Sequence, residues 1–233
     1  GNRSLNLSPR FSQDGRFMAY ISYRDGNPDL FLLDLETGRR RKLSGFPGLN
    51  ISPAWSPDGN WIALALSKDG ETNIYVMRMD GTGLRKLTRG PGISVSPTWS
   101  PNGRQIAFTS DRGGTPQIYV MDADGANVRR ITWDGDQNTS PRWSPRGDRI
   151  VFASRRVGRF DIFTMAPDGS DVRQLTHNSG NNEDPAWSPD GRHIVFTSTR
   201  DGKKNIYVMD ANGSNQRRIT HNGADNYFPD WSQ

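Results

Sequence analysis

The chain has 233 residues, 30 Lys+Arg against 25 Asp+Glu for a formal net charge of +5, no cysteine, and 33% hydrophobic residues. Without cysteine there is no thiol nucleophile, no disulfide framework and no cysteine–zinc site. The 25 Gly and 15 Pro argue against long uninterrupted helices, and an apolar run such as Trp61–Leu66 falls far short of the roughly 20 residues that span a membrane as a helix, so no membrane insertion is expected.

The opening Gly1-Asn2-Arg3-Ser4 is polar and reads as no secretory leader. From Ser8 the string S-P-R-F-S-Q-D-G reads as a short strand running into a turn. It returns as S-P-A-W-S-P-D-G from Ser52, S-P-T-W-S-P-N-G from Ser96, S-P-R-W-S-P-R-G from Ser140 and D-P-A-W-S-P-D-G from Asp184. F-P-D-W-S-Q closes the chain. The aromatic anchors Phe11, Trp55, Trp99, Trp143, Trp187 and Trp231 are each 44 residues apart, with no insertion or deletion between them. The repeat units therefore run about 8–51, 52–95, 96–139, 140–183 and 184–227, with a partial copy at 228–233, and are expected to form a single domain over 1–233.

The unit from Ser96 predicts four strands: 97–100, 105–110, 117–122 and 128–132. Pro101-Asn102-Gly103 makes the first turn, residues 111–116 a loop, and Ala123-Asp124-Gly125 a hairpin turn. Four antiparallel strands per 44 residues, repeated, is the signature of a β-propeller blade. The predicted fold is all-β: a propeller of five four-stranded blades plus a duplicate first strand at the C-terminus. Ile74-Tyr75-Val76-Met77 and its copies (30–33, 118–121, 162–165, 206–209) are expected to be buried third strands, with Trp55 and its equivalents wedged between blades.

W-S-P-D-G, followed by strands of the type R-x-I-x-F-T-S, then x-I-Y-V-M-D-A-D-G and V-R-R-I-T, resembles the repeat of the TolB-type β-propeller family over essentially the whole chain. The resemblance implies a six-bladed, non-enzymatic, periplasmic propeller of the Tol–Pal envelope system. Such a propeller binds the peptidoglycan-associated lipoprotein Pal on one face. With five complete units, the chain reads as a truncated or engineered piece of a six-bladed parent, in which an incomplete ring leaves self-association open.

Catalytic chemistry finds no support in the residues. His177 and His221 share one repeat phase on one face without meeting, and His193 occupies a phase that tolerates Phe17, Trp61, Gln105 or Arg149. A metal or general base needs convergent ligands, and none of these phases supplies them. Asp122-Ala123-Asp124-Gly125 fails calcium-loop spacing and reads as a hairpin turn, and no G-x-S-x-G elbow is present. No catalytic residue, cofactor or metal is assigned. The basic excess at Arg39–Lys42, Arg85-Lys86, Arg129-Arg130, Arg173 and Arg217-Arg218 lies on expected outer strands. There it protects sheet edges and forms no continuous nucleic-acid groove.

What varies on this fixed scaffold is the loop between fourth and next first strands: 46–51, 90–95, 134–139, 178–183 and 222–227. Variable loops at one channel mouth are where repeat proteins place recognition, and the resemblance points to the same face. The candidate partner-binding residues are Leu49, Asn50, Val95, Gln137, Asn138, Asn181, Asn182, Glu183, Asn226 and Tyr227. Asn and Gln offer both donors and acceptors, and Leu49 and Tyr227 offer anchors. The alternatives are a scaffold with no retained partner, or the accessory propeller of a peptidase.

Overall fold

A computed structural model describes residues 5–177 and 179–231; Asn178, in the fourth loop copy, and positions 1–4 and 232–233 lie outside the described residues. Each unit forms one four-stranded antiparallel sheet with its strands in sequence order. Blade one holds β1 (Asn6–Phe11), β2 (Phe17–Ser22), β3 (Asp29–Asp34) and β4 (Arg40–Ser44). Blades two to five run from β5 (Asn50–Trp55) to β8 (Arg85–Lys86), β9 (Ser94–Trp99) to β12 (Arg129–Arg130), β13 (Gln137–Trp143) to β16 (Arg173–Gln174), and β17 (Asn182–Trp187) to β20 (Arg217–Arg218).

In the Ser96 unit the first and fourth strands differ in extent from the sequence reading, each for a local reason. The first strand of the Ser96 unit starts at Ser94, not Pro97, because a bulge lets the ladder continue past Ser96. Val95 pairs with Thr109 and Thr98 with Ala107, while Ser96 takes a φ of 53°. Ser8, Ser52, Ser140, Asp184 and Phe228 repeat this left-handed residue at the same phase. The fourth strand shrinks to Arg129–Arg130, because the Thr132 hydroxyl replaces a backbone carbonyl and accepts the Ile118 amide at 2.9 Å. Thr88, Thr176 and Thr220 do the same for Ile74, Ile162 and Ile206, each at 2.9 Å.

The core lies between blades rather than under one sheet. Ala19, Ile21, Leu30 and Leu32 of blade one pack on Ile62, Leu64, Leu66, Tyr75 and Met77 of blade two. Equivalent clusters follow around the ring. Both faces of a middle blade are thus covered, which explains near-continuous apolar strands such as Ile62–Leu66. Aromatic pairs stack at one phase: Tyr20–Phe31, Phe108–Tyr119, Phe152–Phe163 and Phe196–Tyr207, all with centroids 5.8 Å apart. The third hairpin turn leans on the preceding blade. At Gly125 (φ +94°) a Cβ would come within 2.8 Å of the Leu87 carbonyl oxygen, so only glycine fits.

Residues 225–231 sit where a sixth first strand belongs. The Asn226 amide donates to the Lys204 carbonyl at 2.8 Å, as Ser94 does to Thr72 and Asn138 to Pro116, both at 2.8 Å. Trp231 packs on Ala186, Val195, Ile206 and Val208, and Asp230 reaches Arg10 at 3.9 Å. Six copies of the first-strand phase therefore surround the channel. A cavity of about 410 Å³ lies against Met18, Tyr20, Phe31 and Leu33, the phases that in blades two to five pack on the preceding blade.

The S-P-D-G turns are tied by their own side chains. The Ser12 hydroxyl donates to Asp14 Oδ1 at 2.6 Å and accepts the Phe17 amide at 2.8 Å; Ser188 and Asp190 repeat the arrangement. The Ser12 hydroxyl, then the Arg16 amide, hold the Asp14 carboxyl below its usual pKa, and Ser188 and Arg192 do so for Asp190. Depressed folded pKa values contribute stability that is present above the unfolded value near 4 and lost as pH falls through the folded ones. At the alkaline end, burial and then Asp201 push the Tyr207 phenol up to about 12. That contribution is present below the unfolded value of about 10 and lost as pH rises toward 12. Urea midpoints followed by tryptophan fluorescence should be level between about pH 5 and 9, and fall on both sides. A midpoint unchanged down to pH 2 would contradict this reading of the turns.

Candidate interaction face

The loops leaving β4, β8, β12, β16 and β20 gather at one mouth of the channel, but their residues divide into two sets. Leu49 and Tyr227 are 40% and 48% exposed, Asn181 is exposed, and Val95, Gln137, Glu183 and Asn226 are half-buried. Asn50, Asn138 and Asn182 are buried, which corrects their placement on the accessible surface. The physical reason is the early strand start: this phase already belongs to the first strand and points into the blade junction. Asn138 Nδ2 donates to Gln117 Oε1 at 2.8 Å and to the Asp134 carbonyl at 2.8 Å. Asn182 Nδ2 donates to Asp161 Oδ1 at 3.1 Å, and Asn50 Nδ2 to the Phe46 carbonyl at 2.7 Å. These amides fix the loops from beneath, as buried amides must find partners. Asn226 bonds Asn222 and Ala224 in the same manner, though partly exposed.

What the face presents is the neighbouring phase. Leu5, Leu49 and Ile93 form an apolar row, with Leu5 58% and Ile93 50% exposed, and Gln137, Asn181 and Asp225 continue it as a polar one. Glu183 and Tyr227 are drawn together by Lys204, whose Nζ lies 3.4 Å from Glu183 Oε2 and 5.0 Å from the Tyr227 ring centroid. Asn181 Oδ1 is already engaged, accepting the Phe160 amide at 3.0 Å.

Sequence reasoning missed a second ring on this side. Arg24, Lys68, Arg112, Arg156 and Arg200 occupy one phase in all five units. Arg200 lies 4.4 Å from the Tyr207 ring centroid and donates to Asn182 Oδ1 at 3.1 Å. Arg112 lies 5.2 Å from the Tyr119 ring and reaches Ser94 Oγ at 3.3 Å. Arg156 is 4.4 Å from the Phe163 ring. A basic residue at the same phase in every unit was the available signal. Arg112, Arg156 and Arg200 cover the aromatic pairs of their blades, and the five cations give the loop face positive character.

The basic strands β4, β8, β12, β16 and β20 do lie outermost, with Arg85, Arg129, Arg173 and Arg217 exposed. His177 and His221 are exposed, and His193 Nε2 stands 3.7 Å from Asp210 Oδ1. Among the described residues no three His, Cys, Asp or Glu side chains are grouped to hold a metal ion. The Asp122–Gly125 segment is a hairpin turn closed by the Gly125 amide on the Asp122 carbonyl at 2.9 Å.

The family model of the TolB beta propeller domain matches residues 1–165 and 136–233. The chain is 48% identical over 46 residues to the Tol-Pal system protein TolB of Syntrophus aciditrophicus, covering 20% of this chain and 10% of that protein. It is 55% identical over 40 residues to the protein TolB homolog of Chlorobium luteolum, covering 17% and 9%. The crystal structure of TolB from Acinetobacter baumannii superposes with a TM-score of 0.90 at 30% identity, covering 99% of this chain and 58% of that one. The chain thus spans little more than half of that TolB.

Proposed function

Because the chain belongs to the TolB beta propeller family, we propose that it is a non-enzymatic, periplasmic protein-binding propeller that receives a Pal-like lipoprotein on its loop face. The observation that carries this reading is the exposed row of Leu5, Leu49 and Ile93, continued by Gln137 and Asn181, with the loops of Leu49, Gln137 and Asn181 held by the buried asparagine that follows each. An apolar row beside polar groups, on a mount that loses little entropy when covered, suits docking of a folded partner.

The test is calorimetric titration with purified Pal. Leu49→Ala and Tyr227→Ala should each weaken binding about tenfold, the usual loss when an anchor worth roughly 1–2 kcal/mol is truncated. Removing Glu183 should act in the same direction, in 0.1 M and 0.5 M salt alike. Neutralising Arg85, Arg129 and Arg217 together should leave affinity unchanged. The reverse pattern would move the interface to the rim, and no binding at all would favour a scaffold without this partner.

A further inference from the structure

The channel holds an arginine that forms no direct ion pair, although the carboxylates Asp230 and Asp184 act on it from a distance. Arg142, on β13, and Arg10, on β1, occupy the same repeat phase in blades one and four, three steps apart in a ring of six first-strand phases, hence on opposite sides of the channel. The other phases carry Ala54, Thr98, Ala186 and Asp230. Arg10 is engaged: its Nη1 donates to the Pro9 carbonyl at 2.8 Å and lies 3.9 Å from Asp230. Arg10 Nε is buried without a partner. Among the described residues no hydrogen bond or ion pair reaches the Arg142 guanidinium. The other lumen carboxylate, Asp184, meets Ser140 Oγ at 3.5 Å and forms no ion pair with Arg142.

A half-buried guanidinium facing a second one across the channel is costly. Burial, and then Arg10, push the Arg142 pKa below its usual value against the opposing pull of Asp230 and Asp184, while burial raises the pKa of Asp184 and so weakens it as a counter-charge. The site is reachable from the mouth opposite the loop face, a funnel of about 490 Å³ that Arg142 lines beside Trp143, Trp187 and Trp231. A guanidinium presents paired N–H donors that match the geometry of an oxyanion.

We propose that this funnel is an oxyanion site in which Arg142 is the principal ligand and Arg10 the opposing charge. The anion is carboxylate or phosphate in chemistry, either free or carried on an acidic peptide. The site is independent of the loop face and of any partner bound there.

The repeat supplies the control variant, since Ala54 and Ala186 show that alanine is accommodated at this phase. Thermal midpoints of the wild type and Arg142→Ala would be measured in sodium phosphate, sodium acetate and a penta-aspartate peptide, at ionic strength matched with sodium chloride. At anion concentrations tenfold above Kd the wild-type midpoint should rise by about 2–5 °C more than that of Arg142→Ala. Without anion the variant should melt no lower than the wild type. A response to phosphate and acetate alone identifies a free-ion site, and one to the peptide identifies a tethered carboxylate. Equal responses of the two proteins, or a variant that melts lower regardless of anion, would overturn the proposal. Nitrogen-15 resonances of the Arg142 guanidinium should move on addition of phosphate and stay fixed if the site is only water-filled.

Discussion

Trp143→Ala should cost about 3–5 kcal/mol of folding stability and lower the thermal midpoint by roughly 10 °C. The indole is 9% exposed and lies among Ile118, Val120 and Ile131 of blade three and Ile150, Phe152 and Phe163 of its own blade. Its removal opens a void at a junction that cannot collapse, because both walls are sheets pinned by their own ladders. One effect works the other way. The Trp143 Nε1–H is buried without an acceptor, a burden of about 1–3 kcal/mol that truncation also removes. Cavity loss outweighs it, but the result should fall toward the lower end of the range. Trp143→Phe separates the two contributions: it keeps most of the ring and drops the orphan donor, as Phe11 does at the same phase. A cost under about 1.5 kcal/mol is expected for it. Denaturant unfolding measures both, and an alanine variant losing under about 1 kcal/mol would mean that the inter-blade wedges are not what holds the ring.

The features legible in the sequence were those enforced by periodicity. Trp55, Trp99, Trp143 and Trp187 were expected at blade junctions, and each packs on the junction with the preceding blade. Their phase never shifts, and a large apolar ring at a fixed phase has little else to do. Asn50, Asn138 and Asn182 were legible in principle and misread. Position six of the chain and the phases of Asn50, Asn138, Asn182 and Asn226 are all asparagine, with only Ser94 differing, so the phase is nearly constant within segments treated as variable. Amides are ambiguous because the groups that recognise a partner also satisfy a buried backbone. The bulge at Ser52 and its copies was not legible, since a serine with φ near 55° carries no sequence mark that distinguishes it from a serine in an extended strand. Missing the bulge moved the strand start, and the strand start decided which loop residues face outward.

Asp161→Leu should destabilise the fold by about 3–5 kcal/mol, whereas Asp161→Asn should cost under about 1 kcal/mol. Asp161 is buried at the loop end of blade four, where its Oδ1 accepts the Thr176 hydroxyl at 2.7 Å and Asn182 Nδ2 at 3.1 Å, while Oδ2 accepts Gln174 Nε2 at 3.2 Å. Leucine strands the Thr176 hydroxyl in a site closed to water, at about 1–3 kcal/mol, leaves Asn182 Nδ2 only its longer bonds to Ser179 and Gly180, and forces a branched apolar side chain into a polar pocket. Gln174 is exposed and can turn to solvent, so it adds little. Asparagine keeps one oxygen for Thr176 and Asn182, and the repeat already uses that solution: Thr88 donates to Asn73 Oδ1 at 2.9 Å and Thr220 to Asn205 Oδ1 at 3.3 Å. The pair of variants therefore distinguishes a need for an acceptor from a need for charge. If charge were what mattered, both substitutions would cost alike. The consequence extends to the loop above, because Asn182 sits between Asn181 and Glu183 of the interaction face. Asp161→Leu should raise amide hydrogen exchange at Asn181, Asn182 and Glu183, while the loop of blade two, anchored by Asn50 on Phe46, keeps its protection. Uniform exchange across all loops would show that the knot under blade four stabilises the ring as a whole and leaves no one loop dependent on it.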